Sequence, residues 1–365
     1  MLGFYILGWP GDDDLPCSWQ ADEADARSVA AVLGIPFHTV NLTDEYRQQV
    51  FEPFLADYRR GRTPNPDVLC NRRVKFKALW QFVRQFEPDY LATGHYALKG
   101  EIKSQNTKTR KESAIFKAVD ANKDQTYFLW GIEPTILEKV IFPLGELTKP
   151  FVRELAKKYK LPTATKKDSQ GICFVGQLKV GEYLTSHLPT RPGPVVLTDG
   201  REIALHPGIW FQTIGQRLGV SQLNWTGDRP PLYLVAKDIT GNRLIVGHDA
   251  DCFAQEFRAE GANWLSQSLP PAKGRFECLV KIRYRQEDVK GVVEVNAGGV
   301  LVQLARPVRA ITPGQSVVFY GFDGQLLGGA TITQVQRQTE LIDALQSSKS
   351  ASFNPELSPK PSAIR

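Results

Sequence analysis

FYILGW at residues 4–9, ADARSVAAVL at 24–33 and IPFHTVNL at 35–42 follow one another at the start of the chain. The first and third segments are short apolar runs, whereas the second places its apolar residues at helical spacing and stops before Gly34. Gly34 has no Cβ and so permits the left-handed backbone that ends many helices. Strand, helix and strand in this order predict an α/β fold with a mostly parallel sheet covered by helices.

The same alternation continues through the first half of the chain. Apolar residues at helical spacing end at Gly61, and a further helical pattern follows at 76–83. Between them lies the loop TPNPDVLC at 63–70, whose two prolines fix φ and turn the residues before them away from helix. DYLATGHYAL at 89–98 predicts another strand. The carboxyl end of such a strand is where open α/β sheets bind ligands.

After about residue 190, Gly and Pro separate short β-rich runs. Asp199-Gly200 and Asp323-Gly324 stand between apolar runs, as hairpin turns do. Short strands at this spacing predict a small antiparallel barrel or sandwich near the C-terminus, whereas the segment from Arg337 onward has no clear periodicity and predicts a loose tail. The predicted domains are an incomplete α/β domain at 1–170, a central domain at 171–248, a C-terminal β-barrel at 249–335 and a disordered tail at 336–365.

The composition restricts the class of protein. At 365 residues, with 42% hydrophobic and 23% charged residues, the chain has enough apolar material for two or three folded domains. No stretch approaches the roughly 18 uncharged apolar residues of a membrane span, and the apolar start lacks a basic leader, so we expect a cytoplasmic protein without membrane contact. Five cysteines without a CxxC pair and five His argue against a disulfide scaffold or a metal site. The net charge of +6 permits a polyanionic partner without requiring one.

Cys70 follows the proline loop and stands just ahead of a predicted helix that Asn71 could cap. A thiol at a helix N-terminus beside Arg72 and Arg73 favours the thiolate, relative to a reference pKa of about 8.5. The alternative is a buried structural cysteine. Asp67, three residues upstream, could orient a substrate or accept a proton, or serve only as a turn residue.

Cys173 lies in KKDSQGICFVG at 166–176 and could meet Cys70 only through the fold. Thiolate–disulfide or persulfide chemistry needs two thiols within bonding distance, so this pair is meaningful if both face one cleft. The remaining three cysteines have no comparable context and are interpreted as structural: Cys17, Cys252 and Cys278.

Several other segments contain polar or basic residues that could either bind a ligand or have only a structural role. Gly94 in TGHY would let a backbone approach a nucleotide closely, although Thr-Gly turns after strands are common. NKDQTYFL at 122–129 predicts the start of a helix, where polar residues usually only cap. KIRYRQ at 281–286, interpreted as strand, would present Lys281, Arg283 and Arg285 on one face and Ile282 and Tyr284 on the other. Basic and aromatic residues on a barrel suit RNA, and an ordinary exposed strand is the alternative.

Taken together, these segments resemble the tRNA-specific 2-thiouridylases, ATP-dependent enzymes that place sulfur on the wobble uridine. The resemblance covers about residues 3–335, and the segments follow the order found in the family. It implies an adenine-nucleotide α-hydrolase-like N-terminal domain, a small central domain and a C-terminal β-barrel. The matching stretches are GRTPNPDVLCNRRVKFKAL, DYLATGHYA, NKDQTYFLW, KKDSQGICFVG, HPGIWFQTIGQRLG, VKIRYRQ and ITPGQSVVFY.

Carried over residue by residue, the resemblance implies that Cys173 receives a persulfide sulfur and that Cys70 is its partner thiol. Asp67 joins them in the catalytic set and, with Asn65 and Pro66, would touch the target base. Ile6 and Gly94 would line the site of ATP, which the family uses with Mg²⁺. Further residues would contact tRNA: His95, Lys123, Asp124, Gln125, Arg283, Tyr284 and Gln315.

One departure from the family concerns its first strand and the SGGxDS pyrophosphate-binding loop, a motif that does not occur in this sequence. The resemblance is therefore to an N-terminally truncated member. Such a loop supplies backbone N–H groups to phosphates, so three interpretations stay open. The first is ATP-dependent sulfur transfer by a monomer that takes sulfur from an external persulfide donor protein. The second is a catalytically impaired tRNA-binding remnant, and the third is another adenylating enzyme that uses neither cysteine.

Overall fold

The computed structural model of the chain describes residues 1–12, 15–16, 19–103, 111–167, 180–219, 230–266 and 274–351. Cys17 and Cys173 lie outside the described residues, so the predictions made for these two cysteines have no structural account. No helix in the described part of the chain is both long and apolar enough to cross a membrane.

Parallel strands form the sheet of the N-terminal domain, as the alternation of strands and helices predicts. Helix Trp19–Leu33 connects the first pair, and Gly34 after it has a φ of +65°. Within the described residues the sheet consists of two separate pairs rather than one continuous sheet. The pairs are Gly3–Leu7 with Phe37–Asn41 and Leu91–Ala92 with Val140–Ile141.

Two long helical runs cover this domain and bury its core. The first ends before Gly61, whose φ is +72°. Val50, Phe54 and Val74 project from the two runs and are almost fully buried. The first run is Thr43–Tyr46, a π-helical turn Arg47–Phe51 and Glu52–Arg59, and the second is Pro66–Leu69, a π-helical segment Cys70–Ala78 and Leu79–Val83.

The rest of the N-terminal domain is built from a hairpin, short 3₁₀ turns and one more helix. The helix predicted from NKDQTYFL is wrong: only the 3₁₀ turn Thr126–Phe128 forms. The buried carboxylate of Asp124 accepts hydrogen bonds from the backbone N–H groups of Ala118 and Thr126, which fixes a tight turn instead. The remaining elements are Arg84–Phe86, Leu98–Lys103, Lys111–Phe116, Pro134–Lys139 and Lys149–Lys158.

The central domain is a four-stranded sheet preceded by helix Val180–His187. Its first two strands form the hairpin predicted at Asp199-Gly200, where Gly200 has a φ of +91°. In sheet order the strands are Glu202–His206, Gly193–Leu197, Arg243–Gly247 and Tyr233–Asp238, and the two middle strands are parallel. The 3₁₀ turn Ile209–Phe211 follows strand Glu202–His206 in the chain, and the 3₁₀ turn Asp249–Cys252 follows the last strand, Arg243–Gly247.

A closed barrel of six strands confirms the prediction of a C-terminal β-barrel. Its interior is filled by side chains such as Val293, Val302 and Phe319, which are completely buried. The hairpin predicted at Asp323-Gly324 is present. In barrel order the strands are Phe253–Trp264, Gly299–Arg309, Val289–Asn296, Gly274–Lys281, Ser316–Tyr320 and Leu326–Val335.

Two predictions about the C-terminal half are wrong. The strand that contains KIRYRQ ends at Lys281, so residues 282–286 form a turn and do not alternate between two faces. The predicted loose tail contains helix Gln336–Ala351, in which Leu345 is buried against the central sheet. The helix has few apolar residues, but Leu345 packs against residues of the central domain. A contact with another domain is not visible in the local sequence pattern of the helix.

Candidate active site at the junction of the domains

The proline loop leads into the helix one turn earlier than predicted. Asn65 is extended, with φ −118° and ψ 93°, and Pro66 occupies the first helical turn, where its missing N–H is no loss. Asn71 therefore does not cap the helix. It is buried within it and donates from Nδ2 to the backbone oxygen of Phe128 at 3.1 Å. Cys70 consequently lies in the second turn, 9% exposed, and the N-terminal environment predicted for its thiol is wrong.

The barrel holds the loop in front of this helix. Gln315 donates from Nε2 to the backbone oxygens of Thr63 at 2.7 Å and Pro64 at 3.1 Å. The backbone N–H of Thr63 in turn donates to the oxygen of Pro313 at 2.9 Å. The Gln315 amide is therefore already engaged with the protein, and the tRNA contact assigned to it stays a prediction.

Tyr127 holds the same loop through the hydrogen bonds of its hydroxyl group. Its ring is buried, and its hydroxyl donates to the backbone oxygen of Ser316 at 2.9 Å and hydrogen-bonds the side chain of Asn65. Burial is the main cause that raises the pKa of Tyr127 well above its ordinary value, so the hydroxyl remains a donor. The Tyr127 hydroxyl thus links the proline loop of the N-terminal domain to the barrel, a role that the interpretation of NKDQTYFL as a helix start missed.

Replacing Tyr127 with phenylalanine should lower the stability of the whole chain. The change leaves the oxygen of Ser316 without its donor, and loss of such buried hydrogen bonds costs about 1–3 kcal/mol. Thermal unfolding monitored by circular dichroism measures the effect, with Tyr90→Phe as the control because Tyr90 is 58% exposed. Equal melting temperatures for the two variants would contradict the role assigned to the Tyr127 hydroxyl.

The positive charge of Lys75 affects the pKa of both Asp67 and His95. Burial raises the pKa of the Asp67 carboxyl, and Lys75 opposes that shift. Burial, followed by the charge of Lys75, lowers the pKa of His95 to about 3. His95 is therefore neutral near pH 7, and its Nδ1 lies 2.9 Å from Oγ1 of Thr93. Sequence reasoning did not select Lys75, although it follows Asp67 by eight residues, about two helical turns.

The nucleotide-binding prediction can be tested against Gly94 and Ile6. Gly94 is exposed just after strand Leu91–Ala92, and a Cβ placed on it would meet only Leu144, at 3.9 Å. Ile6 is half-buried in the first strand. This open backbone fits the approach of a nucleoside. No group of three or more His, Cys, Asp or Glu that could hold a metal occurs among the described residues, so the Mg²⁺ expected with ATP stays a prediction.

The structure brings two of the predicted RNA-binding segments together. Gln125 accepts from the N–H of Tyr96 through Oε1 at 3.0 Å, and its own N–H donates to the oxygen of Tyr96 at 2.9 Å. His95 and Asp124 beside them are buried, whereas Lys123 is half-buried. Since the hydrogen bonds of Asp124 and Gln125 are made within the protein, their contacts to tRNA remain predictions.

Arg283 and Tyr284 lie in the turn after the barrel strand. The Arg283 guanidinium donates to the oxygen of Ile214 at 3.2 Å and to Oγ1 of Thr312 at 3.0 Å, and burial lowers its pKa. The ring of Tyr284 lies 4.5 Å from the ring of Phe128, and burial, followed by the charge of Asp124, raises the Tyr284 pKa. These residues join the barrel to the two other domains at the same junction.

Two of the cysteines interpreted as structural lie within the described residues and are buried. Cys278 is inside the barrel, where burial raises its pKa to about 12. Burial also raises the pKa of Cys252, whose Sγ lies 3.9 Å from the oxygen of Leu234. A thiol that stays protonated is a poor nucleophile, so neither competes with Cys70 for a chemical role.

Comparison with known protein families gives three matches in chain order. They are a tRNA methyl transferase HUP domain at residues 6–177, a tRNA methyl transferase PRC-barrel domain at 181–248 and an aminomethyltransferase beta-barrel domain at 254–332. These matches agree with the predicted fold class of a nucleotide-binding α/β domain, a small central domain and a C-terminal barrel.

Curated relatives match almost the whole chain. The tRNA-specific 2-thiouridylase MnmA of Proteus mirabilis (strain HI4320) is 41% identical over 344 residues, which cover 92% of this chain and 91% of the relative. The protein of the same name from Francisella tularensis subsp. novicida (strain U112) is 44% identical over 339 residues, covering 91% and 92%. The one from Stenotrophomonas maltophilia (strain K279a) is 43% identical over 348 residues, covering 93% and 88%.

Proposed function

Because this chain belongs to the tRNA-specific 2-thiouridylase family, we propose that it transfers sulfur to C2 of the wobble uridine of tRNA. The observation that carries the proposal is the way residues 65–70 are held. Gln315 fixes the backbone before Asn65, Tyr127 fixes the Asn65 side chain, and Asp67 and Cys70 follow on one continuous helical run. A base bound beside this segment meets a carboxyl group and a thiol on a segment held by the N-terminal domain and the barrel.

ATP, with its nucleoside beside Ile6 and the backbone of Gly94, would supply the adenylation that turns the C2 oxygen of uridine into a leaving group. The open space over Gly94 supports this placement. We assign no protein ligand to Mg²⁺, which would accompany ATP and neutralise the charge of the departing pyrophosphate.

The sulfur steps use two thiols. The terminal sulfur of a Cys173 persulfide attacks the adenylated C2, and the C2–O bond breaks with release of AMP, which leaves a Cys173–S–S–C2 link. The Cys70 thiolate then attacks the sulfur of Cys173, and the S–S bond to the base breaks. Its electron pair stays on the sulfur at C2, which becomes the thiocarbonyl of the product. The Cys70–Cys173 disulfide that remains is returned to two thiols by a reductant.

Asp67 acts in this scheme as the proton acceptor next to the thiol. It stands three residues before Cys70, nearly one helical turn, and its raised pKa brings proton exchange closer to neutral pH. Asn65 and Pro66 position the base. The residues that would contact tRNA are His95, Lys123, Asp124, Gln125, Arg283, Tyr284 and Gln315, of which His95 and Asp124 are buried before tRNA binds.

An external protein persulfide supplies the sulfur, and the chain acts as a monomer in the cytoplasm, where tRNA is modified. We propose the same domain bounds as the sequence predicts: the N-terminal domain at 1–170, the central domain at 171–248 and the barrel at 249–335.

The activity is tested with purified chain, unmodified tRNA, ATP, Mg²⁺ and a persulfide-loaded sulfurtransferase, followed by mass spectrometry of the tRNA nucleosides. We expect 2-thiouridine to accumulate toward one per tRNA over repeated turnovers. The Proteus mirabilis relative, assayed in parallel, is the positive control. Tight tRNA binding without 2-thiouridine, while the control forms it, would reject the proposed activity and leave only an RNA-binding role.

A further inference from the structure

A cavity of about 180 Å³ lies where the N-terminal domain, the central sheet, the barrel and the C-terminal helix meet. Its polar walls include the loop at 60–63, Lys237 of the central sheet and Thr312 of the barrel. Three of the described lining residues are cationic, and none is an aspartate or glutamate. The cavity is separate from the Asp67 and Cys70 site, although Thr63 belongs to both neighbourhoods.

Two buried polar groups of the lining residues lack hydrogen-bond partners. They are Nζ of Lys237 and Oγ1 of Thr63, and neither bonds to another described residue. A buried polar atom left unpaired costs roughly 1–3 kcal/mol, and an ammonium group costs more. Two such atoms from different domains at one cavity therefore point to a missing polar occupant.

Two carboxylates next to the lining residues are in ion pairs. Asp57 lies 3.8 Å from Arg62, itself a lining residue, and Asp238 lies 2.6 Å from Arg243, so neither is paired with Lys237. Burial lowers the pKa of Lys237 to about 7, so the amine keeps its proton at neutral pH only in part. An anion in the cavity would favour the charged amine and remove the cause of this shift.

We propose that the cavity binds a tetrahedral oxyanion of the phosphate class, held by Lys237, Thr63 and Arg62. Among the described residues, Asp57 at Arg62 is the one carboxylate in an ion pair with the three basic side chains of the cavity. Water alone would satisfy the hydrogen bonds but would not balance the remaining positive charge. The unpartnered atoms are buried, whereas a phosphate within RNA needs room for a sugar on each side. The geometry therefore favours a free anion over a tRNA phosphate.

The bound anion would connect the central domain to the proline loop at 63–70. Thr63 already hydrogen-bonds Pro313 through its backbone and accepts from Gln315 at its oxygen. An oxyanion bound by both the Thr63 side chain and Lys237 would also connect the central sheet to Thr63. The inference concerns binding and domain coupling and does not depend on the sulfur-transfer activity.

Titration of the full chain with inorganic phosphate at constant ionic strength tests the proposal, with calorimetry for affinity and thermal unfolding for stability. We expect saturable binding and a rise in melting temperature for the wild type. Lys237→Met should weaken phosphate binding at least tenfold. Thr63→Val, which keeps the side-chain volume, should weaken it severalfold and serves if the Lys237 variant does not fold. Lys290→Met, at an exposed position on the barrel, is the matched control and should bind as the wild type does.

Binding that is absent in the wild type, or equal in all variants, would overturn the proposal and leave the cavity filled with water only. A second titration in the presence of saturating tRNA separates the two sources of phosphate. Unchanged phosphate affinity supports a free anion. Complete competition by tRNA would support the site while assigning it to an RNA phosphate.

Discussion

Replacing Cys70 with alanine should abolish the formation of 2-thiouridine. In the proposed mechanism no other thiol of the chain breaks the link between Cys173 and the base, so without added reductant the first turnover stops at a covalent protein–tRNA adduct. Loss of a catalytic nucleophile lowers turnover by more than about a thousandfold. Nucleoside analysis under single-turnover conditions measures the product, and denaturing gel electrophoresis detects the adduct.

Cys278→Ala is the matched control, because Cys278 is also buried but lies inside the barrel with a pKa of about 12. It should retain activity close to that of the wild type. Cys70→Ser keeps the size of the side chain and should be as inactive as the alanine variant. Substantial product from either Cys70 variant would show that this thiol is not part of the sulfur transfer.

Asp67→Asn should lower turnover by about a hundredfold to ten-thousandfold, the range expected when a general base is lost. The carboxamide has nearly the same shape, so tRNA affinity should change little. Asp57→Asn is the control, since burial also raises the pKa of Asp57 but that residue lies in the preceding helix. Equal rates for the two variants would exclude Asp67 as the proton acceptor.

The pH profile gives an independent test of the same residue. Burial raises the pKa of Asp67, so the active carboxylate forms above the usual range of aspartate and activity rises with pH through that pKa. Lys75 lowers this pKa, and Lys75→Met therefore should move the acidic limb to higher pH. A limb that stays in place, or moves to lower pH, would contradict the assignment.

Local patterns were sufficient for the architecture. Alternating strand and helix patterns predict the parallel pairs of the N-terminal domain, and the dipeptides at Gly200 and Gly324 predict two hairpins that the structure contains. These features depend on neighbours in sequence, because turn geometry and hydrophobic periodicity are local properties.

The contacts that hold the site were not predictable in this way. Gln315 and Thr63 are 252 residues apart, and nothing in either segment reveals that an amide of one meets an oxygen of the other. The same holds for Tyr127 and Ser316, 189 residues apart. The position of Cys70 was misjudged for a local reason: two prolines predict a loop, yet a proline in the first turn also begins a helix well.

The most direct test of the proposed mechanism is mass spectrometry of the chain after one turnover in the absence of reductant. Proteolysis without reduction should yield a peptide pair joined by a Cys70–Cys173 disulfide, in an amount equal to the 2-thiouridine formed. Formation of 2-thiouridine while both cysteines remain free to react with an alkylating reagent would contradict the two-thiol mechanism.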